Sequence, residues 1–329
     1  MTVQNRALGA ALVAALLITL AACSSADPPS YSSPPGVSAT PSPSIDLGDD
    51  ETTPAAPPTA VPRRGAYPTY VALGDSYTAA PLASATDTNS GCLRSEDNYP
   101  ALIARAMKGT RLDDVSCVGA DTTSLVGVQK TLQGVVPAQF DALTEDTSLV
   151  TVGMGGNDFG IFATMIATCT GLRDRDPGGA PCREQQAAGG RDQLRANVAK
   201  LDDRLAATVA GIRDRSPDAE IVVVGYPELI GADRRCPDLL PLADGDFAYA
   251  AGINAALAET QKRAATRAGV TYIDTYAASR GHDICSDDPW VNGSVTSADT
   301  ALAFHPLLAE QQAVANLVLA ALPPHGTSG

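Results

Sequence analysis

Apolar residues follow two rhythms along this chain. Short continuous runs at 70–73, 148–152, 221–224 and 271–274 read as buried strands, the pattern expected of a sheet covered on both faces. Between them lie segments in which apolar residues recur at helical spacing: 99–107, 192–215, 247–268 and 307–322. In the second of these, Leu194, Val198, Leu201, Leu205, Val209 and Ile212 fall on one helical face. Strand and helix alternate, which predicts βαβ units and an α/β fold with a central parallel sheet between helices. In such sheets ligands bind beyond the carboxyl ends of the strands, so the turns after each run are where chemistry is sought.

Residues 1–66 break both rhythms. Arg6 precedes an unbroken run of apolar and small residues over 7–22. That run is short for a membrane span of roughly 20 apolar residues and suits the core of a secretory signal. It closes on Leu20-Ala21-Ala22-Cys23, which resembles a bacterial lipoprotein signal, whose cysteine is lipidated and becomes the mature N-terminus. The alternative is a plain signal peptide in which Cys23 is incidental. Residues 23–66 are rich in Pro, Ser, Thr and Ala, with almost no large apolar side chains. Such a stretch buries too little to offset its ordering entropy, so it is expected to be a disordered tether spanning roughly 35 Å. The predicted organisation is a signal over 1–22, a lipidated Cys23 with its tether over 23–66, one domain over 67–323, and a polar tail over 324–329. An exported protein anchored to the outer face of the cytoplasmic membrane is expected.

Charge narrows the partners. With 37 acidic against 23 basic residues the formal net charge is −14. Nucleic acid is excluded as a partner, because phosphate binding needs clustered Lys and Arg. Electrostatic adhesion to anionic lipid is disfavoured on the same ground, and a monomer kept soluble by its charge is expected. Besides Cys23 the chain has Cys92, Cys117, Cys169, Cys182, Cys236 and Cys285. An even number in an exported chain favours disulfides, and no Cys or Cys/His spacing suggests a metal. Six cysteines allow 15 pairings, and spacing does not choose among them.

Several chemistries are absent from the sequence. There is no P-loop and no His-Glu-x-x-His. Gly153-x-Gly155-x-x-Asp158 lacks the third glycine of a dinucleotide fingerprint, and Gly-x-Ser-x-Gly does not occur. No cofactor is implied. Of the three histidines, His325 lies in the tail and His282 in a loop ending at Cys285, where a structural or surface role is expected. His305, in Phe304-His305-Pro306 just before the last helix, is the candidate general base. Ser76, in Gly74-Asp75-Ser76 after the first strand, is the candidate nucleophile. A serine hydroxyl is weak until an imidazole takes its proton. An oxyanion then needs donors, and the Ser76 N–H, the Gly119 N–H and the Asn157 side-chain amide are candidates. Taken singly, each of these residues reads as turn chemistry.

Together they say more. Gly74-Asp75-Ser76, the Gly119 loop, Gly155-x-Asn157-Asp158 and His305 come in one order that resembles the SGNH/GDSL hydrolase family. Tyr77 after Ser76, Cys117-x-Gly119-Ala120, and Cys285 followed by Pro289-Trp290-Val291-Asn292-Gly293 resemble its secreted actinobacterial lipase/esterase branch. The resemblance implies a flavodoxin-like three-layer α/β/α domain. It implies Ser76 as nucleophile, His305 as base, and Ser76, Gly119 and Asn157 as the oxyanion hole, with Asp75 a structural partner of the turn. It also implies the disulfides Cys92–Cys117, Cys169–Cys182 and Cys236–Cys285. One position departs from the pattern. Where many members carry an aspartate three residues before the histidine, this chain has Leu302. The orienting group behind His305 is expected to be the Leu302 backbone carbonyl, in a Ser-His dyad, with Asp299 as the alternative.

The expected function is a carboxylesterase- or lipase-type serine hydrolase working through an acyl-enzyme on an ester substrate, without metal or cofactor. One alternative is a deacetylase or phospholipase acting on cell-envelope glycans or lipids. Another, of a different class, is a non-catalytic surface lipoprotein that binds carbohydrate or lipid.

Overall fold

The computed structural model describes residues 67–323. The predicted signal, Cys23, the tether and the tail lie outside the described residues. Strands in chain order are β1 (Thr69–Gly74), β2 (Arg111–Asp114), β3 (Gln129–Thr131), β4 (Gly134–Val136), β5 (Leu149–Gly153), β6 (Glu220–Val224) and β7 (Thr271–Ile273). Helices are α1 (Ser76–Ala79), α2 (Tyr99–Ala106), α3 (Cys169–Gly171), α4 (Pro181–Ala187), α5 (Gln193–Arg215), α6 (Asp246–Ala268), α7 (Thr275–Ala278) and α8 (Leu308–Ala321). Five strands form a parallel sheet in the order β2-β1-β5-β6-β7, while β3 and β4 make a separate antiparallel hairpin.

Strand alternation divides the core into two layers. Tyr70, Ala72, Leu149, Val222 and Val224 point to one face, where Tyr99 and Ile103 of α2 and Val314 and Val318 of α8 cover them. Val71, Leu73, Val150, Val152, Ile221 and Val223 point to the other, against Val209 and Ile212 of α5 and Ala265 of α6. This is the expected three-layer α/β/α arrangement, and it explains why the strands read as unbroken apolar runs. β2 is the strand that apolar patterning does not announce. Arg111-Leu112-Asp113-Asp114 is a half-exposed edge, where charge is tolerated and discourages further pairing. Among the described residues no helix is long and apolar enough to cross a membrane.

Chain order places the switch in sheet direction between β1 and β5, the position where doubly wound sheets open a crevice. Gly74 and Gly153, the last residues of those strands, are register partners, so the turns that follow begin side by side. Disulfides Cys92–Cys117, Cys169–Cys182 and Cys236–Cys285 tie the connections between strands, the second of them joining α3 to α4. The third joins the connection after β6 to the one after β7 across a separation of 49 residues.

Candidate active site

At the end of β1 there is no room for a side chain. A Cβ on Gly74 would lie 2.1 Å from Thr78 Oγ1 and 3.0 Å from the Gly153 carbonyl. The Gln139 side chain clasps the Gly74 peptide from both sides, donating to its carbonyl and accepting from its N–H, each at 2.9 Å. Asp75 then caps α1, its carboxylate accepting from the Tyr77 N–H at 2.8 Å. Its other oxygen accepts from the Tyr226 hydroxyl, which in turn accepts from the Gly156 N–H at 2.7 Å. Burial pushes the Asp75 carboxyl up to about 7, against the pull of the Tyr226 and Tyr77 donors. Asp75 is thus committed to joining the turn after β1 to the turn after β5. Ser76 opens α1 directly above this pair.

Gly119 lies on a tight turn held from two sides. Cys117 N–H donates to the Gly74 carbonyl at 3.1 Å, and Gln129 Nε2 donates to the Val118 carbonyl at 2.8 Å. Gly119 itself sits at φ +77°, a conformation that favours glycine. Asn157 reaches this turn, its side-chain amide donating to the Ala120 carbonyl at 2.9 Å. Next to it, buried Asp158 accepts from both the backbone N–H and the hydroxyl of Thr122, and burial raises its carboxyl above the usual range. The Gly119 and Asn157 turns are therefore laced together, and both are tied to the Ser76 turn.

His305 arrives from the other end of the chain. Its ring stacks on Tyr77 with centroids 5.8 Å apart, and the Tyr77 hydroxyl donates to the Phe304 carbonyl at 2.7 Å. The residue after Ser76 thus grips the residue before His305. The orienter differs from both sequence expectations: the group at Nδ1 is the Ala303 carbonyl, at 2.7 Å. Leu302 is not available, because its carbonyl accepts from the His305 N–H at 3.2 Å and the Asn292 amide at 3.0 Å. Asp299 is exposed and has no hydrogen bond to the ring. The physical reason is Phe304, which takes φ +60° and bends the chain so that the carbonyl two residues back faces the imidazole. With Nδ1–H donated to Ala303, Nε2 is left as the basic nitrogen. Burial lowers the His305 pKa below 6.5, opposed by the Ala303 hydrogen bond. His282, by contrast, stacks on Trp290 and contacts the Asp288 carbonyl through Nδ1, away from these turns.

Three supporting residues carry no local sequence signal. Tyr226 meets Asp75 across 151 residues, and Gln139 meets Gly74 across 65. Gln311, in the first turn of α8, donates to the Tyr77 carbonyl at 3.0 Å and accepts from the Tyr99 N–H at 2.7 Å. Its neighbour Glu310 is buried as well, and burial pushes that carboxyl up to about 8.

A three-layer α/β/α domain with a serine, a histidine and polar turns at the switch point of its sheet defines a class of hydrolase. Comparison with known proteins names the family. The model of the GDSL-like lipase/acylhydrolase family matches residues 72–312, and the chain belongs to that family of carboxylic ester hydrolases. Lipase 2 of Streptomyces coelicolor is 40% identical over 240 residues, covering 72% of this chain and 78% of that protein. A lipase of Streptomyces rimosus is 33% identical over 243 residues, covering 72% and 80%. Among solved structures, phospholipase A1 from Streptomyces albidoflavus superposes with a TM-score of 0.64 at 30% identity, covering 77% of this chain and 99% of that one. The extracellular lipase of Streptomyces rimosus gives 0.63 at 27% identity, with the same coverage.

Proposed function

We propose that this chain hydrolyses acyl esters of lipids through an acyl-enzyme on Ser76, with His305 as its base. The observation that carries the reading is the Tyr77 bridge, which stacks on His305 and binds the Phe304 carbonyl while following Ser76 directly. Neutral His305, its Nδ1–H donated to Ala303, takes the Ser76 proton on Nε2 as Oγ attacks the ester carbonyl. The resulting oxyanion accepts from the backbone N–H of Ser76 and of Gly119 and from the Asn157 amide. One hydrogen of that amide is spent on Ala120, which aims the other. Each such donor is worth roughly 3–4 kcal/mol. Collapse breaks the ester C–O bond, and the imidazolium gives its proton to the departing alcohol. Water, deprotonated by His305, then attacks the acyl-enzyme, releasing the acid and returning the proton to Ser76.

The phospholipase and lipase names of the relatives point to lipid esters ahead of envelope glycans. Export with an anchor on Cys23 is the location that the sequence supports, and it would hold the domain near such substrates. A fluorophosphonate probe tests the chemistry. It should label the folded protein at Ser76, and Ser76→Ala should lose both label and ester hydrolysis by on the order of 10⁴-fold or more. An unlabelled Ser76 in folded wild-type protein would favour a non-catalytic binder instead.

A further inference from the structure

Large apolar side chains that remain exposed are few among the described residues, and they are not scattered. Val126, Val128, Leu132 and Val135 lie on the β3–β4 hairpin and the stretch leading into it, and Leu132 is fully exposed. The other three, Phe159, Leu239 and Val295, follow β5, β6 and β7 respectively. Every one belongs to a connection that leaves the carboxyl edge of the sheet, where Ser76 and His305 sit. The long faces of α5 and α6 have none.

The hairpin reverses the usual pattern of a solvated strand. Positions 126, 128, 130 and 132 point outward and are Val, Val, Lys and Leu, whereas Gln129 and Thr131 turn toward the protein. Gln129 binds the Val118 carbonyl beside Gly119, and Thr131 packs against the Gly91 backbone. Lys130 pairs in register with Val135, so one outer face presents Val128, Leu132, Val135 and the Lys130 stem. Apolar-out, polar-in alternation on an anchored hairpin implies that the outside is not always water. Charge follows the same division. No acidic residue occurs between Asp121 and Asp141, in a chain of net charge −14. Exposed Asp238, Asp287, Asp288 and Asp299 crowd the connections on the opposite side of the site.

We infer that the β3–β4 hairpin docks on a condensed zwitterionic phospholipid surface and delivers the Ser76 site to ester groups there. This rests on the ester-hydrolase reading above. Its apolar side chains enter the acyl boundary, while Lys130 stays at head-group level beside phosphate. A zwitterionic surface is specified because one lysine cannot offset the chain's net charge of −14 against an anionic bilayer. The hairpin also supports the Gly119 turn through Gln129, so docking and the oxyanion donors share one rigid element.

The test uses the exported full chain carrying Cys23→Ala, so that no acyl anchor contributes, and Ser76→Ala, so that vesicles stay intact. Wild-type hairpin should float with phosphatidylcholine vesicles and bind phosphatidylserine vesicles more weakly. Leu132→Asp with Val135→Asp should reduce flotation at least tenfold, the scale of losing one buried leucine side chain. Ala207→Asp, on exposed α5, should change nothing. With Ser76 restored, the double variant should keep kcat/KM on soluble 4-nitrophenyl acetate within about twofold while losing phosphatidylcholine hydrolysis in step with flotation. Flotation that survives the double variant, or is absent from the wild type, overturns docking. So does self-association in solution that the double variant abolishes without altering flotation, which would make the face an interface between copies. Absent activity on the soluble ester would overturn the hydrolase reading alone, since flotation of the Ser76→Ala protein is read without it.

Discussion

The turn that carries Ser76 leaves β1 and enters α1 at once, under a buried carboxylate, a glutamine clasp on Gly74 and the ends of two register-paired strands. The loop that carries His305 is built otherwise. It runs from the end of β7 to the start of α8 and includes only short structure. It is held by Cys236–Cys285, by Asn292 donating to the Ala301 and Leu302 carbonyls, and by a left-handed Phe304. The Ser76 turn is fixed by the sheet and by side chains 65 and 151 residues away. The His305 loop is fixed by a disulfide and by Asn292 and Ala303 contacts that span 10 residues or fewer. Tyr77 is where the two systems meet. The Ser76 turn should therefore resist substitution in the His305 loop, whereas the set of the His305 ring should depend on a few contacts within its own loop and on Tyr77.

The sharpest way to probe the rigid side is Asn157→Ala. Asn157 touches the Gly119 turn through one amide hydrogen, and the other is the proposed oxyanion donor. Its removal should lower kcat by about 10²–10³ with little change in KM, because the lost interaction is made mainly in the transition state. Steady-state kinetics on a soluble ester reads this. A change confined to KM would move Asn157 out of the oxyanion hole.

A second test addresses what couples the two sides. Glu310 is buried at the start of α8, next to the Gln311 that binds Tyr77 and Tyr99. Folded, its carboxyl holds a proton up to about pH 8, whereas the ordinary value is 4.5. The protonated form is the one the fold accepts, so this contribution to stability is complete below pH 4.5 and is lost as pH rises through 8. Glu310→Gln cannot ionise and should be spared that loss. Denaturant unfolding at pH 5 and pH 9 should show the variant gaining on the wild type by on the order of 4 kcal/mol at the higher pH. Equal pH dependence in both proteins would mean that the carboxyl is charged in the folded state and paired by rearrangement.

These contrasts explain how much was readable beforehand. Four sheet strands announced themselves as apolar runs because helices cover both faces of the sheet, with Val71 and Val150 packed on one side and Val222 on the other. β2 and the hairpin did not, since a charged edge and an apolar-out ribbon both lack the expected alternation. The Ser76, Gly119 and Asn157 turns were legible as motifs because they come in one order along the chain. The backbone also requires glycine at Gly74, where a Cβ would strike Thr78, and favours it at Gly119, at φ +77°. The acceptor behind His305 was not legible. It depends on φ at Phe304, and nothing in a phenylalanine advertises a left-handed conformation. Tyr226 was hidden for a plainer reason: its partner Asp75 lies 151 residues away.

The smallest expected effect tests the His305 side directly. Asp299 is exposed, and Nδ1 is already engaged by the Ala303 carbonyl. Asp299→Asn should therefore leave kcat within about twofold, against the roughly 10⁴-fold loss seen when a true triad aspartate is neutralised. The pH profile makes the test stricter. The proposed mechanism needs neutral His305, and burial lowers its pKa below 6.5, so the acid limb of kcat/KM should have its midpoint below pH 6.5. An aspartate at Nδ1 would instead stabilise the imidazolium and raise that midpoint, and its neutralisation would bring the midpoint down. A dyad predicts the same midpoint in wild type and Asp299→Asn. If instead kcat collapses in the variant and the acid midpoint of the kcat profile falls with it, the loop closes on substrate into a triad, and the Ala303 carbonyl is a resting partner of the ring.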